Sequence, residues 1–363
     1  MRYLGNKTRL IPFIGRAIER LGVPPGVAAD PFAGTASVAR ALKRRGWRVH
    51  AGDLMAVSYA LQVARVELDR TPRFPAHILP ATRRSPGRSS ASYSTVLAWL
   101  DALPGRAGFL TTHYTPGGRG GRPHGRMYFT EENARRIDAV RERIATWVET
   151  GALDPRRAQF LIATLIEAAD RVANTTGVYA SFVKSWQPNA LRPLRLRPVR
   201  PTRARDGAGR STAFLGPARD LLARLGPVDL LYLDPPYNGR QYPAYYHIPE
   251  LLATGWSPAP PLRGKTGLIP DENRRSDWCR KGRAEQALAG LLEVADARHI
   301  LFSYNDEGLL DRGAIEAALR ARGRADSYRC FRRPYRRYRS DADGPGRRYR
   351  RDLVREHLHY VQG

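Results

Sequence analysis

An apolar run that ends in an acid and two prolines most constrains how this chain can fold. Residues 230–237 read Leu-Leu-Tyr-Leu-Asp-Pro-Pro-Tyr. An apolar run bounded by turn residues is typical of a buried strand in a parallel sheet. Pro235 and Pro236 lack the amide hydrogen that a sheet needs, so the strand is predicted to end at Asp234. The carboxyl ends of such strands are where open α/β sheets bind their ligands.

The residues at that strand end suit a planar base that carries an amine. Asp234 and the carbonyl group of Pro235 can accept hydrogen bonds from the amine. The ring of Tyr237 can stack on the base. A Pro-Pro pair alone more often marks an ordinary turn. Because an acid and a tyrosine flank the prolines directly after an apolar strand, the sequence favours a binding site.

A β-α-β unit near the amino terminus predicts the other half of the site. Its elements are a strand over 27–29, a helix over 36–45 and a strand over 47–51. The first strand leads into Asp30, Phe32 and Gly34, and the second ends at Asp53. The pattern G-x-G-x-x-G is absent, which argues against a pyrophosphate ligand. A ligand with an adenosine ribose still needs an acid for its hydroxyl groups, so Asp53 either binds a ribose or caps a helix.

Helices and irregular segments alternate along the rest of the chain. The sequence predicts helices over 8–21, 93–103, 130–148, 154–173, 216–225, 249–254, 284–295 and 309–322. It predicts further strands over 178–186 and 299–304, and an antiparallel pair formed by 328–339 and 353–361. Over residues 71–125 the periodic pattern breaks down around the helix at 93–103, with clusters of Pro, Gly, Ser and Arg, and residues 191–210 are rich in Arg and Pro and show no core face. Stretches this long and irregular indicate functional loops or an inserted module.

Charge and cysteine content limit the class of partner and cofactor. Lys and Arg number 61 against 34 Asp and Glu, a net charge of +27. Nearly all of it is arginine, which GC-rich coding also favours, but the excess is large enough to predict a nucleic-acid partner. Cys279 and Cys330 are too few and too isolated to predict a disulfide framework or a metal site. With no apolar leader or membrane-length run, the protein is expected to be soluble and cytoplasmic.

Four segments, in this order, resemble the Dam-type DNA adenine-N6 methyltransferases. They are Arg-Tyr-Leu-Gly-Asn-Lys at 2–7, Asp-Pro-Phe-Ala-Gly-Thr at 30–35 followed by Asp53, then Asp220, and Asp-Pro-Pro-Tyr at 234–237. The tetrapeptide is typical of amino-methylating enzymes, and its combination with the Gly-Asn-Lys loop is typical of this group. The chain departs from the pattern at Asn6, where relatives often have glycine, and in a less tight first glycine loop. Neither departure touches a catalytic group.

The resemblance implies an α/β fold, namely a Rossmann-like class I methyltransferase sheet with an inserted target-recognition region. The expected catalytic domain is 1–70 with 126–363, the expected target-recognition region is 71–125, and 187–212 is an additional DNA-contacting loop. The implied catalytic residues are Asp234, Pro235, Pro236 and Tyr237. The implied pocket for S-adenosylmethionine consists of Tyr3, Lys7, Asp30, Phe32, Gly34, Asp53, Asp220 and Asp234.

The chemistry of that cofactor matches these side chains. Asp30 would face its ammonium group and Lys7 its carboxylate, while Asp53 would bind the ribose hydroxyls and Asp220 the adenine amine. Hydrogen bonds from the target amine to Asp234 would localise its lone pair toward the methyl group, so direct transfer needs no metal. The target atom is inaccessible in a stacked duplex, so the base must be flipped out.

The sequence therefore predicts a methyltransferase for the N6 amine of adenine in a specific sequence of double-stranded DNA. It would serve a restriction-modification system, with a cognate restriction endonuclease as a candidate partner, or act as a phage or orphan methylase. Two alternatives stay open: a methyltransferase for RNA or another amino group, and a catalytically silent DNA-binding relative. Asn305 and Asp306 are expected to form a turn, and His247 is expected to be structural.

Overall fold

The computed structural model of the chain describes residues 1–270, 275–336 and 353–363. The chain forms two compact units, each assembled from three separate segments. The unit named here the sheet unit comprises Gly5–Gln62, Thr202–Gln241 and Asn273–Gly363. The helical unit comprises Met1–Leu4, Val63–Pro201 and Tyr242–Glu272.

The described residues contain nine strands and eleven α-helices. The strands are β1 (Val27–Asp30), β2 (Arg48–Asp53), β3 (Phe74–Pro75), β4 (Ser90–Ala91), β5 (Thr212–Leu215), β6 (Val228–Leu233), β7 (Ala297–Asn305), β8 (Arg329–Arg336) and β9 (Leu353–Gln362). The helices are α1 (Ile11–Arg20), α2 (Ser37–Arg44), α3 (Ala56–Gln62), α4 (Tyr93–Asp101), α5 (Phe109–His113), α6 (Glu131–Glu149), α7 (Pro155–Val172), α8 (Ala218–Arg224), α9 (Tyr242–Thr254), α10 (Ala284–Val294) and α11 (Arg312–Arg322).

The sheet unit is built on one seven-stranded sheet with the order β5-β2-β1-β6-β7-β9-β8. The strands β5, β2, β1, β6 and β7 are parallel, and β9 runs antiparallel between β7 and β8. This mostly parallel sheet with its helices confirms the predicted α/β class I methyltransferase fold. The antiparallel pair at the sheet edge is also confirmed, although the end of its first predicted strand, 337–339, lies outside the described residues.

The strand order locates the ligand-binding edge. From β1 the chain passes outward through β2 to β5 and then returns to β6, on the other side of β1. The pair β1–β6, in which Ala28 lies beside Leu230, is therefore a topological switch point. Ligands of open α/β sheets bind outside the carboxyl ends of the strands at this point. Asp30 ends β1 and Asp234 directly follows β6, so both acids lie at this edge.

The main core of the sheet unit lies between the sheet and helices α10 and α11. Leu231 of β6 and Phe302 of β7 are fully buried, and they share a cluster with Leu288 of α10 and Leu319 of α11. Burying a side chain of this size stabilises a fold by about 1.5–3 kcal/mol relative to leaving it exposed. The continuous apolar run that predicts β6 thus reflects a strand covered on both faces.

The helical unit is organised around the paired helices α6 and α7. Thr130 caps α6 by accepting a hydrogen bond from the backbone of Asn133, as the sequence predicts. Asp154 caps α7 in the same way, with Pro155 in the first helical position. The short helix α5 packs on α6, and α9 packs on α7. Within the part of the chain that the structure describes, no helix is both long and apolar enough to cross a membrane.

Two sequence predictions for this unit are wrong. Residues 178–186 contain no strand: Tyr179 is buried as a single side chain, and its amide donates to the carbonyl of Tyr245 in an irregular turn. Residues 191–210 are irregular, as expected, but they do have core residues, because Leu194, Leu196 and Val199 are buried. The backbone amide of each of these three residues donates a hydrogen bond to a side chain of the helical unit. Arginines and prolines between them hide this spacing in the sequence.

The segment 71–125, which the sequence separates as an inserted region, is part of a larger unit in the structure. It contains α4, α5 and the β3–β4 pair, and it clusters with the remainder of Val63–Pro201 and with Tyr242–Glu272. Asp138 of α6 anchors it, accepting hydrogen bonds from the amides of Gly108, Leu110 and Thr111. That this region reads the DNA sequence stays a prediction.

Candidate active site

Three acids come together where the parallel strands end. Asp30 is the last residue of β1, Asp53 is the last residue of β2, and Asp234 comes directly after β6. Asp30 is 1% exposed, and burial, with repulsion from Asp234 and Asp53, raises its pKa well above the usual value. Repulsion of this size requires the carboxyl groups to be close. The structure thus brings together acids that are up to 204 residues apart, as the strand-end argument predicts.

Lys7 lies between two carboxylates of the same cluster. Its Nζ atom is 3.1 Å from Asp234 Oδ1 and donates a hydrogen bond of 2.7 Å to Glu356 Oε1. Lys7 is 4% exposed and Glu356 1%. Burial alone would lower the pKa of Lys7, but Asp234 and then Glu356 outweigh it and raise that pKa well above its usual value. The ammonium group is therefore charged at neutral pH.

Glu356 is the member of the acid cluster that the sequence interpretation missed. It lies on β9 opposite Asn305 of β7, and its Oε1 atom also accepts a hydrogen bond from Ser303 Oγ at 2.5 Å. Its Oε2 atom is buried without a hydrogen-bond partner among the described residues. The sequence signal is an acid inside the alternating strand 353–361, and that pattern alone predicts only a strand near the sheet edge.

The cluster holds more negative than positive groups. Burial and the charge of Glu356 together outweigh Lys7 and raise the pKa of Asp234 to about 7. Among the described residues, the linked carboxyl groups of Asp30, Asp53, Asp234 and Glu356 thus share the ammonium group of Lys7, which lies directly between Asp234 and Glu356. A buried excess of acids is costly unless a cation neutralises it. The site therefore suits a positively charged ligand.

Asp53 holds the loop that follows β1. Its Oδ2 atom accepts a hydrogen bond from the amide of Gly34 and its Oδ1 atom one from Met55, both at 2.9 Å. Gly34 has a φ of +50°, which favours glycine, and the buried Ala36 has a φ of +65°. A non-glycine residue in this conformation stores strain of the kind that collects at functional sites. Whether Asp53 also binds a ribose stays a prediction.

Asn6 links the amino-terminal loop to the same segment. Its Nδ2 atom donates to Thr35 Oγ1 at 3.0 Å, and its Oδ1 atom accepts from the amide of Thr8 at 2.8 Å and from Ser37 Oγ at 3.2 Å. A glycine at this position could make none of these side-chain bonds. The departure from the family pattern at residue 6 thus replaces backbone freedom with a fixed contact between two loops.

The residues after β6 are fixed beside Lys7. The carbonyl of Tyr237 accepts a hydrogen bond of 3.0 Å from the amide of Leu309, and its ring meets Tyr304 edge-on with 6.3 Å between centroids. Lys7 Nζ lies 5.6 Å from the centroid of the Tyr237 ring. Pro235 is buried, and the Tyr237 side chain is half-buried. The tetrapeptide is therefore a rigid platform at the switch point.

The remaining predicted site residues have varied surroundings. Phe32 packs edge-on against Trp278 at 5.2 Å, and Asp220 is exposed in the first turn of α8. Tyr3 belongs to the helical unit, where its ring stacks on Tyr246 at 4.5 Å. The cofactor contacts assigned to these three residues stay predictions.

His247 and Asn305, which the sequence predicts to have structural roles, lie in a buried aromatic cluster and in a turn. His247 is fully buried beside the rings of Tyr114 and Tyr128, and burial lowers its pKa to about 4. Asn305 Oδ1 accepts a hydrogen bond from the amide of Glu307, which closes the expected turn after β7. Neither arrangement leaves these side chains a role as a general base.

Comparison with known proteins extends over the whole chain. Residues 3–316 match the family described as D12 class N6 adenine-specific DNA methyltransferase. The type II methyltransferase M.NlaIII of Neisseria lactamica is 33% identical over 100% of this chain and 99% of that protein. M.FokI of Planomicrobium okeanokoites is 32% identical over all of this chain, which covers 52% of M.FokI. M.CviAII of Paramecium bursaria Chlorella virus 1 is 36% identical over 60% of the chain and 61% of that protein. With the acid cluster and Asp-Pro-Pro-Tyr at the switch point of its sheet, the chain belongs to the D12 class of N6 adenine-specific DNA methyltransferases.

Proposed function

We propose that this protein transfers a methyl group from S-adenosylmethionine to the N6 amine of adenine in a specific sequence of double-stranded DNA. Membership of the family supports DNA as the polymer and adenine as the target. The observation that carries the choice of methyl donor is the excess of buried carboxyl groups around Lys7. S-adenosylmethionine supplies an electrophilic methyl group on a sulfonium cation and carries a second positive charge on its ammonium group.

The residues at the switch point fit this donor. Asp30 Oδ1 is buried and has no hydrogen-bond partner among the described residues, so it can accept a bond from an ammonium group. Asp53, at the end of the neighbouring strand, is assigned to the ribose hydroxyls, and the exposed Asp220 to the adenine amine. We propose that Lys7 binds the carboxylate of the donor. Its contacts with Glu356 and Asp234 give it a second role, which is to hold Asp234 in place.

Asp234 is assigned to the target amine. The exocyclic amine of adenine is conjugated with the ring and is a poor nucleophile. If Asp234 and the carbonyl of Pro235 each accept a hydrogen bond from this amine, the nitrogen lone pair is directed toward the methyl group. Lys7 fixes Asp234 Oδ1, so we assign the second oxygen to the amine. A preorganised acceptor of this kind stabilises charge only as it develops in the transition state.

The target base must leave the duplex to reach this site, and Tyr237 is its proposed stacking surface. We propose that residues 71–125 read the sequence and that 187–212 contact the DNA. In the second segment, buried Leu194, Leu196 and Val199 alternate with exposed arginines. These arginines are Arg192, Arg195, Arg197 and Arg200. An anchored backbone that presents arginines outward suits a phosphate-contacting loop.

The biological setting follows from the relatives. M.NlaIII, M.FokI and M.CviAII are all named type II methyltransferases, and the 30% identical StsI protein of Streptococcus sanguinis is named a modification methylase. We therefore propose that this chain is the modification enzyme of a restriction-modification system, with a cognate restriction endonuclease as its functional partner.

Incubation of the purified protein with methyl-labelled S-adenosylmethionine and DNA tests this function directly. Label should enter double-stranded DNA, and sequencing that detects N6-methyladenine should place it in one recurring motif. Asp234→Ala serves as the inactive control, and total RNA as the competing substrate. Label in RNA alone would favour the alternative of an RNA methyltransferase, and no label in any substrate would favour a silent DNA-binding relative.

A further inference from the structure

We propose that Cys330, His357 and His359 form a zinc site between β8 and β9. Each residue offers one ligand atom, and these three atoms all lie within 4.8 Å of one another. The cluster is separate from the acids around Lys7. It also revises the expectation that Cys330 is too isolated to bind a metal, because that expectation did not consider the His-x-His spacing on the last strand.

The strand register explains why these residues meet. Cys330 lies directly opposite His359, and Arg332 lies opposite His357. Side chains two residues apart on a strand share a face, so the cysteine and both histidines project from one face of the β8–β9 pair. Cys330 Sγ is 3.9 Å from His357 Nδ1. Tetrahedral zinc, with bonds of about 2.3 Å to sulfur and about 2.0 Å to nitrogen, holds such atoms roughly 3.6 Å apart.

The surroundings hold the histidine rings in place. Both rings are buried. Tyr328 Oη forms a hydrogen bond of 2.7 Å with His359 Nδ1, which fixes the plane of that ring. Orientation of a histidine by a hydrogen bond to its ring is typical of metal sites.

The nearby charges decide which ligand set can work. Arg332 and Arg312 act on both histidines and oppose a cation, while Asp306 and Glu356 act on His357, and Glu316 of α11 acts on His359, and favour one. Imidazole ligands bring no negative charge of their own, so Cys330, bound as a thiolate, is the ligand that adds one. A thiolate with two imidazoles is a ligand set that suits Zn²⁺, with water in the fourth position.

The expected role of the metal is structural. Successive residues of a strand point to opposite faces, so Glu356 and His357 lie on different sides of β9. Zinc would therefore not enter the acid cluster around Lys7. It would join the edge strand β8 to β9, the strand that supplies Glu356.

Metal titration of the full-length protein tests the site. After removal of metal by a chelator, the protein is titrated with Zn²⁺ against a chromophoric indicator. We expect one equivalent per chain, and at least tenfold weaker binding by Cys330→Ser. Cys279→Ser is the matched control, because this buried cysteine is the chain's other thiol and lies outside the cluster. With Co²⁺ as a stand-in, the sulfur-to-metal absorption band should appear in the wild type and in Cys279→Ser, and be lost in Cys330→Ser.

The wild-type protein decides the outcome even if a variant folds poorly. Circular dichroism checks the fold of Cys330→Ser and of His357→Asn, and zinc should raise the Tm of the wild type but not of these variants. Less than a tenth of an equivalent of Zn²⁺ on the wild type would overturn the proposal. So would a Co²⁺ complex of the wild type that lacks the thiolate band.

Discussion

Lys7 Nζ donates a hydrogen bond of 2.7 Å to Glu356 Oε1 across a separation of 349 residues. This contact joins the amino-terminal loop to β9, next to the edge strand of the sheet, and the same ammonium group lies 3.1 Å from Asp234 Oδ1. Both partners are almost completely buried. Disrupting such a buried pair is more costly than losing a surface contact, because the remaining charge stays out of reach of water.

Glu356→Ala is therefore expected to destabilise the protein and to slow methyl transfer. Because Asp234 still compensates the charge of Lys7, the free energy of unfolding should fall by less than the roughly 3–5 kcal/mol of a fully broken buried pair. The turnover rate should fall more than the affinity for S-adenosylmethionine, because Lys7, which holds Asp234, would lose one of its two anchors. Chemical denaturation and single-turnover methylation measure the two effects.

Glu293→Gln is the matched control for this prediction. Glu293 pairs with Arg219 at 3.3 Å on the surface, and such pairs contribute about 0–1 kcal/mol. Both its stability and its activity should stay close to the wild type. A Glu356→Ala protein with normal turnover would show that the pair with Lys7 is purely structural.

Binding of S-adenosylmethionine is expected to release protons near neutral pH. Burial raises the pKa of Asp30 and that of Asp234, the latter to about 7, so Asp234 is partly protonated there in the free protein. A cationic ligand favours their charged forms and lowers both pKa values. Affinity should therefore rise with pH through about 6 to 8. Calorimetry in two buffers of different ionisation enthalpy measures the number of protons released.

Asp234→Asn should shrink this proton release, because the substituted group cannot titrate. The same raised pKa predicts that the stability of the free protein falls as pH rises from about 4 through about 7, since the folded state binds more protons than the unfolded state. Proton uptake on binding, instead of release, would contradict the assignment of the acid cluster to a cationic donor.

Asp53 is expected to contribute to donor affinity in addition to holding the loop at Gly34. Loss of charge-assisted hydrogen bonds to the ribose should weaken binding by roughly 1.5–3 kcal/mol, or about 10- to 150-fold. Because Asp53 also accepts the Gly34 amide, Asp53→Ala alone does not separate the two roles. A donor analogue that lacks the ribose hydroxyls does. Calorimetry should show that this analogue binds the wild type weakly and that Asp53→Ala weakens its binding less than it weakens binding of the full donor. Additive losses would make Asp53 a loop anchor only.

The sequence predicted the parts of the site that local patterns determine. Asp30, Asp53 and Asp234 follow apolar strands directly, so their positions could be inferred from strand ends alone. Glu356 could not, because its partner Lys7 lies at the other end of the chain and strand pairing brings them together. The error at 178–186 has the opposite cause: one residue there, Tyr179, fills the core as a single side chain, and its apolar neighbours are half-buried and form no strand.

Asp234 and Tyr237 are expected to respond differently to substitution. Loss of a preorganised partner of a reacting group typically costs about 10²–10³ in rate, and Asp234→Ala should lose at least that. Tyr237→Phe keeps the ring and should stay largely active, whereas Tyr237→Ala should lose stacking worth about 1–3 kcal/mol. A fluorescent adenine analogue at the target position reports base flipping. If Tyr237→Phe flipped the base normally but were as inactive as Asp234→Ala, the hydroxyl group would take part in the chemistry.

Exchange of residues 71–125 is expected to move the methylated sequence and to leave donor affinity intact. Asp138 of α6 lies outside this segment and accepts hydrogen bonds from the amides of Gly108, Leu110 and Thr111. The donor segment should therefore come from a relative that methylates another sequence and has an acid at the equivalent of Asp138. Asp138→Asn in the unexchanged protein controls for simple loss of this anchor. Sequencing that detects N6-methyladenine identifies the modified motif, and calorimetry measures donor binding. If the chimera is active and still modifies the original motif, residues 71–125 do not read the sequence, and the search turns to the exposed arginines of 187–212.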